Sequence, residues 1–206
     1  MRFTYFISAF LATFAIASPI SSSIDVTEGA DLATRADKVV NTPEYQALAK
    51  VHPSLKVGEW YWVYQKDKLG AEILDGDTET LSELQQLQKN LGFEHIGVIV
   101  GQVKSTKKPT KKDGTTTTNH FEAVYYHMTM NKDKKNAAMV HSPNWVASKV
   151  DFSKSFLEDG GTTTKKGSIT AKNDAKDYTN DEKHKTYSVT DNNCNTFAQY
   201  IRAALT

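Results

Sequence analysis

The stretch from residue 92 to residue 101 constrains the fold most, because it predicts a buried strand in the middle of the chain. It reads Gly-Phe-Glu-His-Ile-Gly-Val-Ile-Val-Gly, and its β-branched residues fit the two-residue period of a strand. Alternation places Ile96, Val98 and Val100 on one face, and His95, Gly97, Ile99 and Gly101 on the other. Two glycines beside a histidine leave room on that second face for another backbone or for a ligand.

The elements around this strand predict a sheet covered by helices. Residues 80–91 fit an amphipathic helix that begins with a capping box from Thr80 to Glu83. Residues 59–64 and 120–130 are rich in aromatic and β-branched residues, which is typical of strands. Because an amphipathic helix buries one face against a sheet, we predict an α+β fold, with an antiparallel sheet packed against helices.

Length and composition predict a single domain at 38–206. The chain has 206 residues, of which 39% are hydrophobic, and this is enough for one well-formed core. Two stretches rich in lysine and threonine, at 104–119 and 159–185, offer little to bury and predict long loops; the first is either a long hairpin excursion or a mobile loop. The formal net charge of +1 provides no global field toward nucleic acid, so no nucleic-acid partner is expected.

The N-terminus has the three-part pattern of a secretory signal peptide. Arg2 precedes an apolar run from Phe3 to Ala17, and a polar, serine-rich segment follows. We predict a signal peptide at 1–17, a flexible leader at 18–37 and a secreted, extracellular protein; a buried N-terminal helix is the alternative. No second stretch approaches the roughly 18 apolar residues of a transmembrane helix, so no stable membrane anchor is expected.

The chain has a single cysteine, Cys194. In an exported chain it forms no internal disulfide, so it is a buried thiol, an intermolecular bridge or a reactive group. Apolar residues recur at helical spacing after it, and the N-cap candidates Thr190, Asp191 and Asn192 precede it. Cys194 then lies in the first helical turn, where free backbone N–H groups and the macrodipole favour an anion. We therefore predict a thiol pKa below its usual value.

The neighbouring strands supply candidates for a base. If the strand at 120–130 pairs antiparallel with the His95 strand around a turn centred near residue 111, His127 falls close to His95. With Cys194, these residues predict a Cys-His nucleophilic site, which needs a base for the thiol proton and a third group that fixes the base's tautomer. His127 is the first choice for the third group. The alternatives are Glu122, His120 and His141.

Two motifs resemble a known group of proteins. Phe93 to Gly101 is similar to the histidine strand of the circularly permuted papain-like proteins, the lecithin retinol acyltransferase-like group and its PPPDE-type relatives. Asn193-Cys194-x-x-Phe197 resembles the motif that opens their catalytic helix, and the order of histidine strand before cysteine helix is the permuted one. The resemblance implies a permuted papain-like core, with His95 as the base and Cys194 as the nucleophile that forms a thioester or acyl intermediate.

The function expected on these grounds is that of a secreted thiol hydrolase or acyl or amide transferase acting on an amide, thioester or ester. Peptide or cell-wall amides rank ahead of lipids, because nothing in the sequence supplies the apolar anchor that lipid substrates require. The alternative is a secreted, non-catalytic binding or effector protein on the same fold. We expect a monomer without a cofactor. No metal site is expected either, because the six histidines lack metal-ligand spacing and one cysteine cannot build a structural zinc site.

Overall fold

The computed structural model describes residues 37–71, 78–109, 114–131 and 137–206. The predicted signal peptide, and all of the predicted leader except Asp37, lie outside the described residues. The described residues form one compact unit. No helix in the described part of the chain is long and apolar enough to cross a membrane.

A six-stranded sheet forms the centre of this unit. Its strands are β1 (Lys38–Asn41), β2 (Trp60–Asp67), β3 (His95–Pro109), β4 (Thr115–Met130), β5 (Ala137–Ser142) and β6 (Ser155–Thr163). The spatial order is β1-β4-β3-β2-β6, and β5 pairs with β4. The pairing of β1 with β4 is parallel and the other pairings are antiparallel. The sheet is therefore mostly antiparallel, in a mixed α+β fold.

Helices pack against this sheet, and those described are α1 (Pro43–Val51), α2 (Thr78–Leu91), α3 (Lys165–Asn180) and α4 (Cys194–Ala203). At the start of α1, the Thr42 side chain accepts a hydrogen bond from the Tyr45 backbone N–H, and Pro43 fits the first position because it has no N–H to leave unpaired. The helix α2 begins two residues before Thr80. Thr80 is therefore inside the helix and not its N-cap.

The structure has strands or a helix in both stretches predicted as long loops. The first is a hairpin excursion, which is one of the two forms predicted for it, whereas the prediction of a loop for the second is wrong. In the first, at 104–119, β3 and β4 continue as a two-stranded ribbon and β1 pairs with its outer part. In the second, at 159–185, the chain completes β6 and then forms α3. Ala171, Ala175 and Tyr178 are buried along one side of α3, a narrow stripe that the polar composition of the segment hides.

The sheet carries one hydrophobic core on each face. The core under α3 and α4, here the α4 core, includes Trp62, Tyr64, Ile96, Val98, Val100, Tyr126, Met128, Cys194, Phe197 and Ile201. The opposite core, here the α1 core, includes Leu48, Tyr61, Val63, Ile99, Phe121, Tyr125 and Trp145. Neighbours along each strand enter different cores, so the alternation predicted for the apolar residues of β3 is confirmed.

Candidate active site

The strands β3 and β4 bring His95 and His127 together. Gly97 lies opposite His127 in the antiparallel register, and a 2.9 Å hydrogen bond joins Nε2 of His95 and Nδ1 of His127. The two rings meet edge to face, with centroids 5.0 Å apart. The expected closeness of His127 to His95 is therefore confirmed, because the β3–β4 ribbon pairs in nearly the register that the sequence predicts.

Gly97 creates the space that this arrangement uses. A Cβ atom at position 97 would lie 2.4 Å from Cε2 of Tyr125 and 2.7 Å from Cβ of His127, well inside van der Waals contact. The Tyr125 ring stacks on the His127 ring, with centroids 4.5 Å apart. The space beside Gly97, which the sequence predicts for a backbone or a ligand, is therefore occupied by side chains of β4.

Burial keeps both histidines in their neutral form. It lowers the pKa of His95 to about 4. Burial also lowers the pKa of His127 to about 4; the positive charge of His95 acts in the same direction, and the carboxylate of Asp67 opposes it. At neutral pH the pair is a hydrogen-bonded couple of uncharged imidazoles, each able to accept a proton.

Asp67 is a member of this cluster that the sequence analysis missed. It lies opposite His95 in the β2–β3 register, and its Oδ1 accepts a 2.7 Å hydrogen bond from Oγ of Ser155. Two residues earlier, Gln65 accepts a hydrogen bond from Nε1 of Trp145. The sequence could have pointed to Asp67, because the aromatic β2 strand ends in polar residues and alternation places Gln65 and Asp67 on one face.

The helix α4 begins at Cys194, with Asn193 as its N-cap. Oδ1 of Asn193 accepts from the backbone N–H groups of Asn195 and Thr196, each at 3.0 Å, and Oγ1 of Thr196 accepts from the Asn193 N–H at 2.8 Å. This is a reciprocal capping box. The N-cap is thus one residue after the predicted candidates. Thr196 is a capping residue.

The prediction of an acidic thiol at Cys194 is wrong. The residue is only 4% exposed, and burial raises the pKa of the Cys194 thiol above its usual value. Hydrogen bonds from the backbone N–H of Ile96, the hydroxyl of Tyr187 and the amides of Asn195 and Cys194 act in the opposite direction, but they do not outweigh burial. The helix start supplies the expected donors. It does not supply the exposure that an acidic thiol requires.

Cys194 packs in the α4 core with Ile96, which directly follows His95 in the chain. Burial, and then the charges of Asp67 and Cys194, raise the pKa of Tyr125, whose ring stacks on His127. Within the described residues, no hydrogen bond joins Sγ to either imidazole. Cys194 belongs to the α4 core and Tyr125 to the α1 core, so thiol and imidazoles approach the strand backbone from different cores.

The other candidates for a third group lie elsewhere. Glu122 pairs with Lys104 at the surface. His120 shares a 2.9 Å hydrogen bond with Oγ1 of Thr106 on the β3–β4 ribbon. His141 is exposed and stacks on Tyr126. Of the four residues that the sequence left open for this role, His127 is the one that is hydrogen-bonded to His95.

Two buried asparagines fix the chain before Cys194, and we call Asn192 and Asn193 the asparagine elbow. Asn192 is 3% exposed and Asn193 is 2% exposed. Nδ2 of Asn192 donates to the carbonyls of His184 and Thr186, and its Oδ1 accepts from the hydroxyl of Tyr178. Nδ2 of Asn193 donates to the carbonyls of Ser188 and Val189. The sequence signal for this structural role was the Asn-Asn pair directly before the cysteine.

A groove of about 630 Å³ lies between α2 and the loop before α4. Its lining residues are Glu83, Gln86, Leu87, Asn90, Val189 and Thr190. The carbonyl of Val189 is held at 2.8 Å by Nδ2 of Asn193, so one wall of the groove is tied to the residue before the thiol. The part of the chain that is described contains no group of three or more His, Cys, Asp or Glu residues arranged to hold a metal ion.

Comparisons with protein-family models, with curated proteins and with solved structures gave no match to this chain.

Proposed function

We propose that the protein is a secreted thiol hydrolase or acyl or amide transferase on a permuted papain-like core, with Cys194 as the nucleophile and His95 as its base. The observation that carries the proposal is the buried, neutral, hydrogen-bonded pair of His95 and His127, next in the chain to Ile96, which packs with Cys194 in the α4 core. A neutral imidazole is the form that accepts a thiol proton. The order of histidine strand before cysteine helix supports the permuted core.

The hydrogen bond between the imidazoles permits two tautomer arrangements, and the proposal requires the one in which Nε2 of His95 is the donor. Nδ1 is the nitrogen of His95 that the pair leaves available as a base. Nε2 of His95 then carries the proton and donates it to Nδ1 of His127. His127 is therefore a positioning residue: it holds the His95 ring and stabilises the imidazolium that forms. The thiol and the imidazoles face different cores in the free protein, so the proposal requires the Sγ to Nδ1 contact to form when substrate binds.

The reaction starts from the neutral thiol. His95 takes the proton as Sγ attacks the substrate carbonyl, the S–C bond forms, and the electron pair moves to the oxygen. When the intermediate collapses, the bond to the leaving group breaks and His95 gives that group its proton. Water in a hydrolase, or a second nucleophile in a transferase, then attacks the thioester with His95 again as base and restores the thiol.

Acetylation by p-nitrophenyl acetate tests this function, because Cys194 is the chain's single thiol and intact mass counts the acetyl groups. We expect one acetyl group on the protein and none at this site in Cys194→Ala. In His95→Gln the rate falls about a hundredfold or more, the usual size of a general-base contribution. His120→Gln, which alters a histidine on the ribbon, is the matched control and keeps the parent rate. Equal rates in His95→Gln and the parent protein contradict the proposal.

The pH dependence gives a second measure. An ordinary thiol reacts about tenfold faster for each pH unit below its pKa, because the thiolate is the reactive form. A neutral thiol and a neutral base are both at full population above the pKa of His95, which is about 4. The acetylation rate is therefore flat between about pH 5 and pH 8 and falls as pH drops through about 4. A tenfold rise per unit across that range indicates an unassisted thiol.

A second candidate is a secreted, non-catalytic binding or effector protein. The 4% exposure of Cys194 and the raised thiol pKa favour it, because both make the sulfur less reactive. It predicts slow acetylation with the tenfold-per-unit slope and no dependence on His95. The same two measurements therefore decide between the candidates.

A further inference from the structure

The outer edge of β4 is covered at both ends and open in the middle. β1 pairs with it as far as Asn119, and β5 pairs with it from Tyr125 onward. Next to these strands, the N–H of Thr42 donates to the carbonyl of Asn119 at 3.0 Å, and the N–H of Trp145 donates to the carbonyl of Ala123 at 2.8 Å. Among the described residues, no strand pairs with this edge of β4 between those two contacts.

The backbone of Phe121 points into this gap. Phe121 lies opposite Val103 in the β3–β4 register. Val103 directs both of its backbone groups the other way, because its N–H donates to the carbonyl of Glu59 at 3.0 Å and its carbonyl accepts from the N–H of Gly58 at 2.8 Å. Two such opposed residues of an antiparallel ladder exchange no hydrogen bond, so the N–H and the carbonyl of Phe121 point away from β3. The same alternation turns the N–H of Ala123 outward.

These outward groups of Phe121 and Ala123 have no hydrogen-bond partner within the described residues. The two residues are 3% and 6% exposed, and buried backbone groups without a partner are rare in folded proteins. A groove of about 440 Å³ opens over them, and its lining also includes Thr42, Glu44, Trp60, Glu122, Asn144 and Trp145. The unpaired groups are therefore open to a ligand in this groove.

The row of backbone groups along the gap is the complement of another backbone. Its order is N–H, carbonyl, N–H, and an extended peptide presents carbonyl, N–H and carbonyl groups in return, as peptides do when they add to an open sheet edge. The gap runs from residue 119 to residue 123, about 13 Å at the rise of a strand, which has room for about two or three residues.

The charge of the groove favours a basic occupant. Its lining contains the carboxylates of Glu44 and Glu122. Glu122 forms an ion pair with Lys104. Glu44 uses Oε1 to accept from the N–H of Ala147, and its Oε2 has no partner among the described residues. Glu44 is therefore the carboxylate that a lysine or arginine side chain in the groove would meet.

We propose that the open edge of β4 at 120–124 is a second binding site, which takes an extended segment of a partner peptide that carries a lysine or arginine. The N–H groups of Phe121 and Ala123 donate to carbonyls of the peptide, and the carbonyl of Phe121 accepts from a peptide N–H. Glu44 pairs with the basic side chain. The site uses neither Cys194 nor the histidine pair, so this inference does not depend on the proposed catalytic function.

The experiment is an amide NMR titration of the isotope-labelled full chain. The probe is a pool of acetylated, amidated tripeptides with lysine in the centre and every residue type except cysteine on either side. Backbone recognition tolerates different side chains, so the pool tests the mode of binding without a known sequence. The amide signals of Phe121 and Ala123 should shift and saturate, and their exchange with solvent should slow by about tenfold or more.

A matched pool with every backbone nitrogen methylated keeps the side chains and removes the donors. It should bind at least about tenfold more weakly, because the carbonyl of Phe121 loses its partner. In Glu44→Gln, which keeps an oxygen for the N–H of Ala147, the lysine pool should bind about threefold more weakly, whereas a pool with central glutamine should bind as it does to the parent protein.

Three results overturn the inference. The first is that the amides of Phe121 and Ala123 do not respond to the lysine pool. The second is equal binding of the methylated pool, which assigns any contact to side chains alone. The third is a shift of the same two amides with protein concentration in the absence of peptide, which assigns the edge to a second copy of the chain. Equal binding of the lysine pool to Glu44→Gln and the parent protein contradicts the basic character of the partner.

Discussion

Two buried polar groups lie at one end of the sheet, and they are built in opposite ways. In the asparagine elbow, both amide groups donate to backbone carbonyls, and their oxygens accept from a tyrosine hydroxyl and from helix amides. In the histidine pair, a single hydrogen bond joins the rings, and burial pushes both pKa values down to about 4. The elbow is a satisfied scaffold, whereas the pair retains capacity to bind a proton.

The difference separates a structural role from a chemical one. A buried polar group with all its partners in place rigidifies the structure. A buried titratable group with a shifted pKa and few partners is typical of a functional site. Substitutions in the elbow should therefore act mainly on stability, and changes at the pair should act on proton binding and reactivity.

The largest effect on stability is expected for Asn193→Ala. It removes the N-cap acceptor of α4 and leaves the carbonyls of Ser188 and Val189 without their buried donor. We expect a loss of about 3 to 4 kcal/mol in the free energy of unfolding, measured by urea denaturation. In the control Asn193→Ser, which keeps a capping oxygen, about 1 kcal/mol of that loss should be recovered. A loss below 1 kcal/mol in Asn193→Ala contradicts the scaffold role.

The next largest effect on stability is expected on lowering the pH. The histidine pair has pKa values of about 4 in the folded protein, against about 6.5 in the unfolded chain. The unfolded chain therefore binds protons first as pH falls from 6.5 to 4, and each histidine lowers the free energy of unfolding by up to about 3 kcal/mol over that window. Above pH 6.5 this contribution is fully present.

Urea denaturation between pH 4 and pH 7 measures this effect against a double variant, His95→Gln with His127→Gln. Subtracting the two profiles removes the titration of the carboxylates, which both proteins share. The parent protein should lose more stability than the variant as pH falls through the window. Parallel profiles would show that the two histidines titrate normally.

A smaller effect on stability is expected for Gly97→Ala, which tests whether the histidine pair, unlike the asparagine elbow, acts on reactivity. The added Cβ displaces Tyr125 and His127, so we expect about 2 kcal/mol of destabilisation together with slower acetylation of Cys194. Gly101→Ala is the control: its Cβ would meet Glu122 O at 2.3 Å and Cβ of Ala123 at 2.5 Å, away from the pair. It should destabilise the protein without changing the acetylation rate of the folded fraction. Equal acetylation in both variants contradicts the positioning of His127 by Gly97.

The sequence was sufficient where short-range patterns decide the structure. Alternation along β3 gave both faces of the strand, and the distance from His95 to His127 across one hairpin gave their contact. The Thr42-Pro43 pair at the start of α1 is a local signal of the same kind, a capping residue before a first-position proline. These features depend on residues that are close in sequence or on one pairing register.

The errors arose where tertiary contacts outweigh local chemistry. Cys194 lies at a helix start, as predicted, but packing of α4 on β3 buries the thiol and reverses the direction of its pKa shift. Asn192 is a good N-cap by composition, yet its side chain is taken by distant carbonyls and by Tyr178, so the cap moves to Asn193. For the ribbon at 104–119 the sequence left a mobile loop open as an alternative, because its order comes from cross-strand pairing and not from apolar residues.

Because Cys194 is buried only once α4 has packed on the sheet, the accessibility of its thiol reports this step of folding. The β3–β4 ribbon joins residues that are near in sequence, whereas α4 reaches the central strands from far along the chain, and such distant contacts form late. Until α4 docks, the chain's single thiol is open to solvent. A brief pulse of alkylating reagent during refolding therefore marks each molecule by whether its last layer has closed, without any added label.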